Sequence, residues 1–267
     1  LAVQHSLAGG ITTITRNKML HLCSRMKQPP IHPAMQPYLD GKVILIDKPL
    51  EWTSFDAVKK IRILTRITKV GHAGTLDPLA TGLLIICTGK FTKQINTYMG
   101  MPKTYTGSFK LGATTPTYDL ESEPENFKSY DQITEADLLQ AALALTGDIM
   151  QVPPIYSAIK QAGKPAYIKA RKGEDVVLEP RPIHISSFQI THIALPVVSF
   201  KIVCSTGTYI RSMAHDFGAI LGVGAYLSSL RRTKIGDFDV TDALSLVDFE
   251  QTVVQAKALW ASQQAGE

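Results

Sequence analysis

An α+β fold is what this sequence predicts, and three observations carry the prediction. Two β-branched runs, residues 183–193 and 197–204, stand close enough in the chain to pair as neighbouring strands. Apolar residues recur at helical spacing in several other segments. The two kinds of segment follow each other without the strand–helix–strand cadence of a doubly wound parallel sheet.

Taken in order, KVILI (42–46) has the short apolar run of a strand, followed by a turn at Lys48-Pro49. Ser54 is placed to cap a helix in which Phe55, Val58, Ile61 and Leu64 share one face. LLIIC (83–87) reads as a buried strand and TYTGSFKLG (104–112) as a second with partial alternation. Thr134 and Asp137 form a capping box for LLQAALAL, a helix closed by Gly147. A helix is expected after Thr208, over YIRSMAHDFGAIL, and the apolar spacing in DFEQTVVQAKALW predicts a last one. No internal repeat is visible.

The chain has 267 residues, 45% hydrophobic and 19% charged, enough to bury one large core. A formal charge of +5 and a pI of about 9.0 favour an anionic partner. The charge is uneven: four Lys/Arg stand against Asp40 through residue 40, and 24 against 22 thereafter. Binding of a polyanion must therefore come from local clustering. Cys23, Cys87 and Cys204 are odd in number and far apart, which fits a reducing compartment, and the histidines make neither HxxxH nor HExxH, so no metal site is expected. No apolar run approaches the roughly 20 residues of a membrane span. A cytoplasmic location without membrane association follows as the expectation.

Residues 1–37 are low in acids, rich in Gly, Thr and Pro, and lack either period, so they are read as a flexible extension. The main domain is expected over 38–247 and a helical tail over 248–267.

The most distinctive stretch is GHAGTLDPLATG (71–82), which sets a lone carboxylate, Asp77, between a glycine-punctuated turn and Pro78. Its glycines fit neither the P-loop nor the dinucleotide spacing. Alone, its first eight residues, GHAGTLDP (71–78), are equally a turn in which Asp77 bonds its own backbone. It does not stand alone. Lys48-Pro49 ahead of Thr53-Ser54 precedes it, and Lys103-Thr104-Tyr105, Pro154-Ile155-Tyr156-Ser157-Ala158-Ile159-Lys160 ahead of Gly163-Lys164-Pro165-Ala166-Tyr167, Gly207-Thr208-Tyr209-Ile210-Arg211-Ser212, and Leu230-Arg231-Arg232 follow it in that order. This set, from about residue 40 to about 240, resembles the pseudouridine synthases of the bacterial tRNA uridine-55 type, the TruB family.

The resemblance implies a pseudouridine synthase fold, a mixed and mainly antiparallel central sheet flanked by helices, with a mobile RNA-binding insertion at 153–181. It implies conversion of uridine to pseudouridine in the T-loop, with the base flipped out and no cofactor. Asp77 becomes the nucleophile, attacking C1′ or C6, and Arg211 the permanent cation that keeps it ionised. Tyr105 becomes the ring stacked on the target uracil, and Tyr209 lines the same cavity. His72 becomes the wedge that inserts where the extruded bases had stacked. Lys48, Lys160, Lys164, Arg171, Arg231 and Arg232 are candidate phosphate contacts, although lysines and arginines are usually solvated surface charges.

The insertion interleaves basic residues with Tyr156 and Tyr167, as suits a folded RNA loop. Two departures from the family pattern stand out. Glu51 occupies a position, in KPLEWTS, where the family usually has glycine, so the turn is expected to form without left-handed freedom. About 27 residues follow the Leu-Arg-Arg motif and its Gly-Asp-Phe, so an appended PUA domain is not expected. The expected partner is the tRNA T-arm, with no obligate protein partner and a monomeric state. Two rival readings remain: an RNA-binding tRNA folding helper, and a guide-RNA-dependent synthase.

Overall fold

The computed structural model describes residues 30–157, 160–161, 164–165 and 177–265. The body of the chain, from His32, is built on one large sheet. A short helix α1 (Gln36–Asp40) leads into β1 (Val43–Lys48), whose side chains alternate between half-buried and buried. Helix α2 (Ser54–Thr65) follows, then β2 (Val70–His72), β3 (Ala80–Thr88), α3 (Ile95–Gly100) and β4 (Lys103–Leu111). Helix α4 (Glu135–Ala144) and β5 (Gly147–Gln151) precede a two-stranded ribbon of β6 (Lys160–Gln161) and β7 (Lys164–Pro165). The second half runs β8 (Arg181–Ala194), β9 (Val197–Cys204), α5 (Ile210–Ile220), β10 (Ala225–Ile235), β11 (Phe238–Asp239) and α6 (Leu246–Ala265).

The sheet order is β1-β3-β10-β4-β9-β8-β5, with β2 added on β3 and β11 on β10. All its pairs are antiparallel except β3 with β10, where Ala80, Thr81 and Gly82 run parallel to Leu230, Arg231 and Arg232. That pair joins two of the sequence motifs side by side. Strand β3 is buried along almost its whole length, which is why its sequence is a continuous apolar run. Helices α4 and α5 cover a core centred on four phenylalanines. Phe109 lies 4.3 Å from Phe200 and 5.4 Å from Phe217, and Phe188 completes the cluster.

The expected elements are present with local corrections. β8 and β9 pair in antiparallel fashion, as their β-branched runs predict. Thr134 and Asp137 form the expected capping box, but α4 ends at Ala144 and Gly147, at φ +95°, opens β5. Helix α2 is capped by Thr53, whose hydroxyl accepts from the Asp56 amide while Asp56 accepts from the Thr53 amide. Ser54 is the first helical residue, and its hydroxyl is engaged elsewhere.

Candidate active site

The GHAGTLDPLATG segment connects β2 to β3. Its turn is anchored by side chains from the preceding turn and helix: Ser54 Oγ accepts from the Leu76 amide at 2.8 Å and donates to the Leu76 carbonyl at 3.2 Å. Lys48 Nζ donates to the carbonyls of Pro49, Trp52 and Pro78, and the Glu51 amide donates to Pro78 as well. The loop at 49–52 is thereby latched to the turn that carries Asp77. Glu51 sits at φ +64°. Contrary to the expectation from its sequence, the turn keeps the left-handed conformation, and a glutamate bears its strain. At Gly82 (φ +101°) a Cβ would lie 2.3 Å from the Arg232 carbonyl, so only glycine lets β3 approach β10 here.

Asp77 meets Arg211 across this turn. Arg211 Nε lies 3.0 Å from Asp77 Oδ2, and Nη2 donates to Oδ1 at 3.3 Å. The arginine side chain is 5% exposed and the aspartate side chain 37%, so the cation is enclosed and the carboxylate faces solvent. The guanidinium is also held by carbonyls: Nη1 donates to Thr117 at 3.2 Å and Nη2 to Tyr156 at 3.0 Å. Asp119, nearly buried, places Oδ2 3.7 Å from Nε. Two carboxylates thus share one enclosed cation.

Arg211 is the second residue of α5, where the helix dipole disfavours a cation, so its place must be fixed by other contacts. Gln151 supplies one: its amide group donates to the Tyr209 carbonyl at 3.1 Å and accepts from the Tyr209 amide at 2.8 Å. Ser212 Oγ donates to the Val152 carbonyl at 2.8 Å. These bonds tie the start of α5 to the end of β5.

A cavity of about 190 Å³ opens beside Asp77, lined by Asp77 and Asp119 with Leu79, Leu120, Leu227 and Leu230 among its apolar walls; Tyr105 and Tyr209 are not among the residues that line it. Low-polarity walls strengthen the field of the charged groups they enclose. Tyr105 is 8% exposed and belongs to the core cluster that contains Leu76, Ala80 and Ile210. Burial raises its phenol pKa, with the Arg232 charge and hydrogen bond opposing. Burial likewise raises Tyr209. His72 is half-buried at the end of β2. Burial first and the Arg232 charge second hold its imidazole below the usual range, which favours the neutral form.

Among the candidate phosphate contacts, the structure corrects two. Lys48 is fully buried; its ammonium lies against carbonyl oxygens, and burial lowers its pKa to about 8. Arg232 is 1% exposed and donates to the carbonyls of Leu83 (2.8 Å), Gly74 (3.1 Å) and Thr75 (3.5 Å). Both are internal braces of the Asp77 turn, out of reach of a phosphate. Arg231 is part-exposed but bound to Asp47 through two contacts of 3.0 and 2.7 Å. Lys160 and Lys164 lie on the β6–β7 ribbon, and Arg171 falls outside the described residues.

Sequence reasoning missed Asp119, Gln151 and the bracing role of Ser54. Only Asp119 left a signal, a carboxylate in the Thr-rich turn TTPTYD. Among the described residues no group of His, Cys, Asp and Glu could hold a metal ion. No helix among them is long and apolar enough to cross a membrane.

A carboxylate facing an apolar cavity and backed by an enclosed guanidinium is suited to nucleophilic attack. Comparison with known proteins places this geometry in a family. A model described as TruB family pseudouridylate synthase (N terminal domain) matches residues 62–210, and one described as tRNA pseudouridylate synthase B C-terminal domain matches 211–264. The tRNA pseudouridine synthase B of Flavobacterium johnsoniae is 51% identical over 223 residues, 81% of this chain and 97% of its own length. That of Chloroherpeton thalassium is 46% identical, over 81% of this chain and 92% of its own. In the solved Cbf5-Nop10-Gar1 complex, one chain is 28% identical with a TM-score of 0.65 over 82% of this chain, which spans 56% of that longer one. The chain belongs to the TruB family of pseudouridylate synthases.

Proposed function

We propose that the chain is a tRNA pseudouridine synthase that isomerises the T-loop uridine at position 55. The observation that carries this reading is the Asp77–Arg211 pair, with its carboxylate open to the cavity and its cation enclosed. In one form of the reaction the Asp77 carboxylate attacks C1′, and uracil leaves with the electron pair of the C1′–N1 bond. The base then turns, C5 attacks C1′ and displaces the carboxylate, C5 loses its hydrogen as a proton, and N1 gains one. Attack at C6 gives a covalent adduct through the same carboxylate. Neither route needs an oxidant, a metal or ATP.

The uridine reaches Asp77 by leaving its stack, at a cost of a few kcal/mol. The leucine walls offer it a replacement apolar environment, and Tyr105, in the core cluster that also holds Leu76 and Ala80, is the ring proposed to stack on it. A neutral His72 fills the vacated space without the cost of burying a charge. The partner is the tRNA T-arm, and the chain acts as a cytoplasmic monomer without a guide RNA or a bound cofactor. The site is tested by incubating an unmodified tRNA transcript with the protein and mapping pseudouridine by carbodiimide-dependent reverse-transcriptase stops. A single stop one nucleotide 3′ of position 55, which assigns the modification to 55, is expected. Stops elsewhere, or none, would overturn the assignment.

A further inference from the structure

The turn that seats Arg211 contains an anomaly. Tyr118 lies between Thr117, whose carbonyl accepts from Arg211 Nη1, and Asp119, whose carboxylate lies 3.7 Å from Nε. Its backbone is at φ +63°, a region that a bulky side chain rarely enters. Such a conformation persists only where surrounding contacts hold it. Its ring lies on the ring of His215, with centroids 4.2 Å apart and planes 19° from parallel. His215 stands four residues after Arg211 on α5, and therefore on the same face of the helix. The Tyr118 carbonyl accepts from the Leu227 amide at 2.9 Å, which ties the turn to the β10 wall of the cavity.

We propose that Tyr118 is a positioning residue for the reaction: stacked on His215, it clamps the 117–119 turn to α5 so that Thr117 and Asp119 hold Arg211 in register with Asp77. The ring makes the connection and the phenol hydroxyl does not. Glycine would suit the backbone at this position better than tyrosine, so the side chain itself must account for the residue. The inference rests on the proposed activity, and its test separates the two.

Steady-state turnover of tRNA is measured for wild type, Tyr118→Gly, Tyr118→Phe, His215→Ala and His215→Phe, each shown to unfold cooperatively. Tyr118→Gly relieves the backbone and removes the ring; kcat is expected to fall about tenfold to hundredfold, as for a misplaced catalytic group, with KM within about twofold. The two phenylalanine variants keep a ring and should retain wild-type kcat. His215→Ala should match Tyr118→Gly, and a protein carrying both Tyr118→Gly and His215→Ala, measured alongside, should lose no more than either, as expected for residues acting as one unit.

Exchange of the Arg211 Nε hydrogen, followed by nitrogen-15 NMR and assigned by its loss in Arg211→Lys, gives a readout that does not depend on turnover. It should quicken in Tyr118→Gly and stay slow in Tyr118→Phe. If wild type turns over and Tyr118→Gly matches it in kcat, or Tyr118→Phe fails equally, the positioning role is overturned. If wild type does not turn over, the functional reading falls, and the exchange rate alone decides this one: faster in Tyr118→Gly supports it, unchanged refutes it.

Discussion

Arg211 and Asp77, 134 residues apart, meet with Nε 3.0 Å from Oδ2, the guanidinium enclosed and the carboxylate part-exposed. The asymmetry matters for chemistry. An enclosed arginine with its own carbonyl ligands sets a fixed cation against the carboxylate while the aspartate side chain stays part-exposed.

Arg211→Lys is therefore expected to act as a severe substitution although it keeps the charge. An ammonium cannot span Asp77 and the carbonyls of Thr117 and Tyr156 with a planar fork. Turnover should fall about a hundredfold or more, the cost of losing transition-state alignment, while RNA affinity changes little. Single-turnover kinetics with a separate binding assay checks it.

Arg232→Met should cost stability rather than RNA contacts. Three carbonyl acceptors, of Leu83, Gly74 and Thr75, lose a buried charged donor, which is worth about 2–4 kcal/mol. The slope of log affinity against log salt should stay at the wild-type value, whereas loss of a phosphate contact lowers it by about one. Urea unfolding and salt-dependent binding measure the two effects.

Glu51→Gly should leave stability unchanged or raise it by up to about 0.5 kcal/mol, because relief at φ +64° is offset by the freer unfolded chain. Glu51→Val should lower it by about 1–2 kcal/mol, since a β-branched residue fits that region worst. Thermal melts of the three proteins decide it.

Lys48 gives a pH signature. Burial lowers its pKa from 10.5 to about 8, so between those values the unfolded chain holds a proton that the folded chain has released. Stability linked to Lys48 therefore rises with pH across that window, and below about pH 8 the burial penalty is fully present. The difference in unfolding free energy between wild type and Lys48→Met should be flat from pH 6 to 7.5 and move in favour of wild type from about 8 to 10.5. A difference that moves the other way would refute the assignment.

Much of this was legible from the chain because the signals are local. The Thr134–Asp137 box lies within one helical turn, and β8 and β9 advertise themselves through β-branched residues. Strand β10 (AYLSSLRRTKI) was not recognised as a strand. Its polar residues and register shifts hide the alternation, and its identity comes from pairing with β4 and β3, far away in sequence. Thr53 and Ser54 are chemically interchangeable as caps; what separates them is a bond from Ser54 to Leu76, 22 residues on. Lys48 and Arg232 were expected at phosphates because a lysine or arginine is usually exposed. Here converging carbonyls make burial possible, and no spacing in the sequence announces that.

The central claim is that Asp77 isomerises a uridine in tRNA. It is tested most directly by tritium release from a transcript labelled at uridine C5, with wild type and Asp77→Asn side by side, since C5 must lose its hydrogen when the new bond forms. Release of about one equivalent per tRNA by wild type, as one modified position requires, and none by Asp77→Asn with binding intact is the predicted result. Equal release by both proteins, or none from wild type bound to the same tRNA, would contradict it.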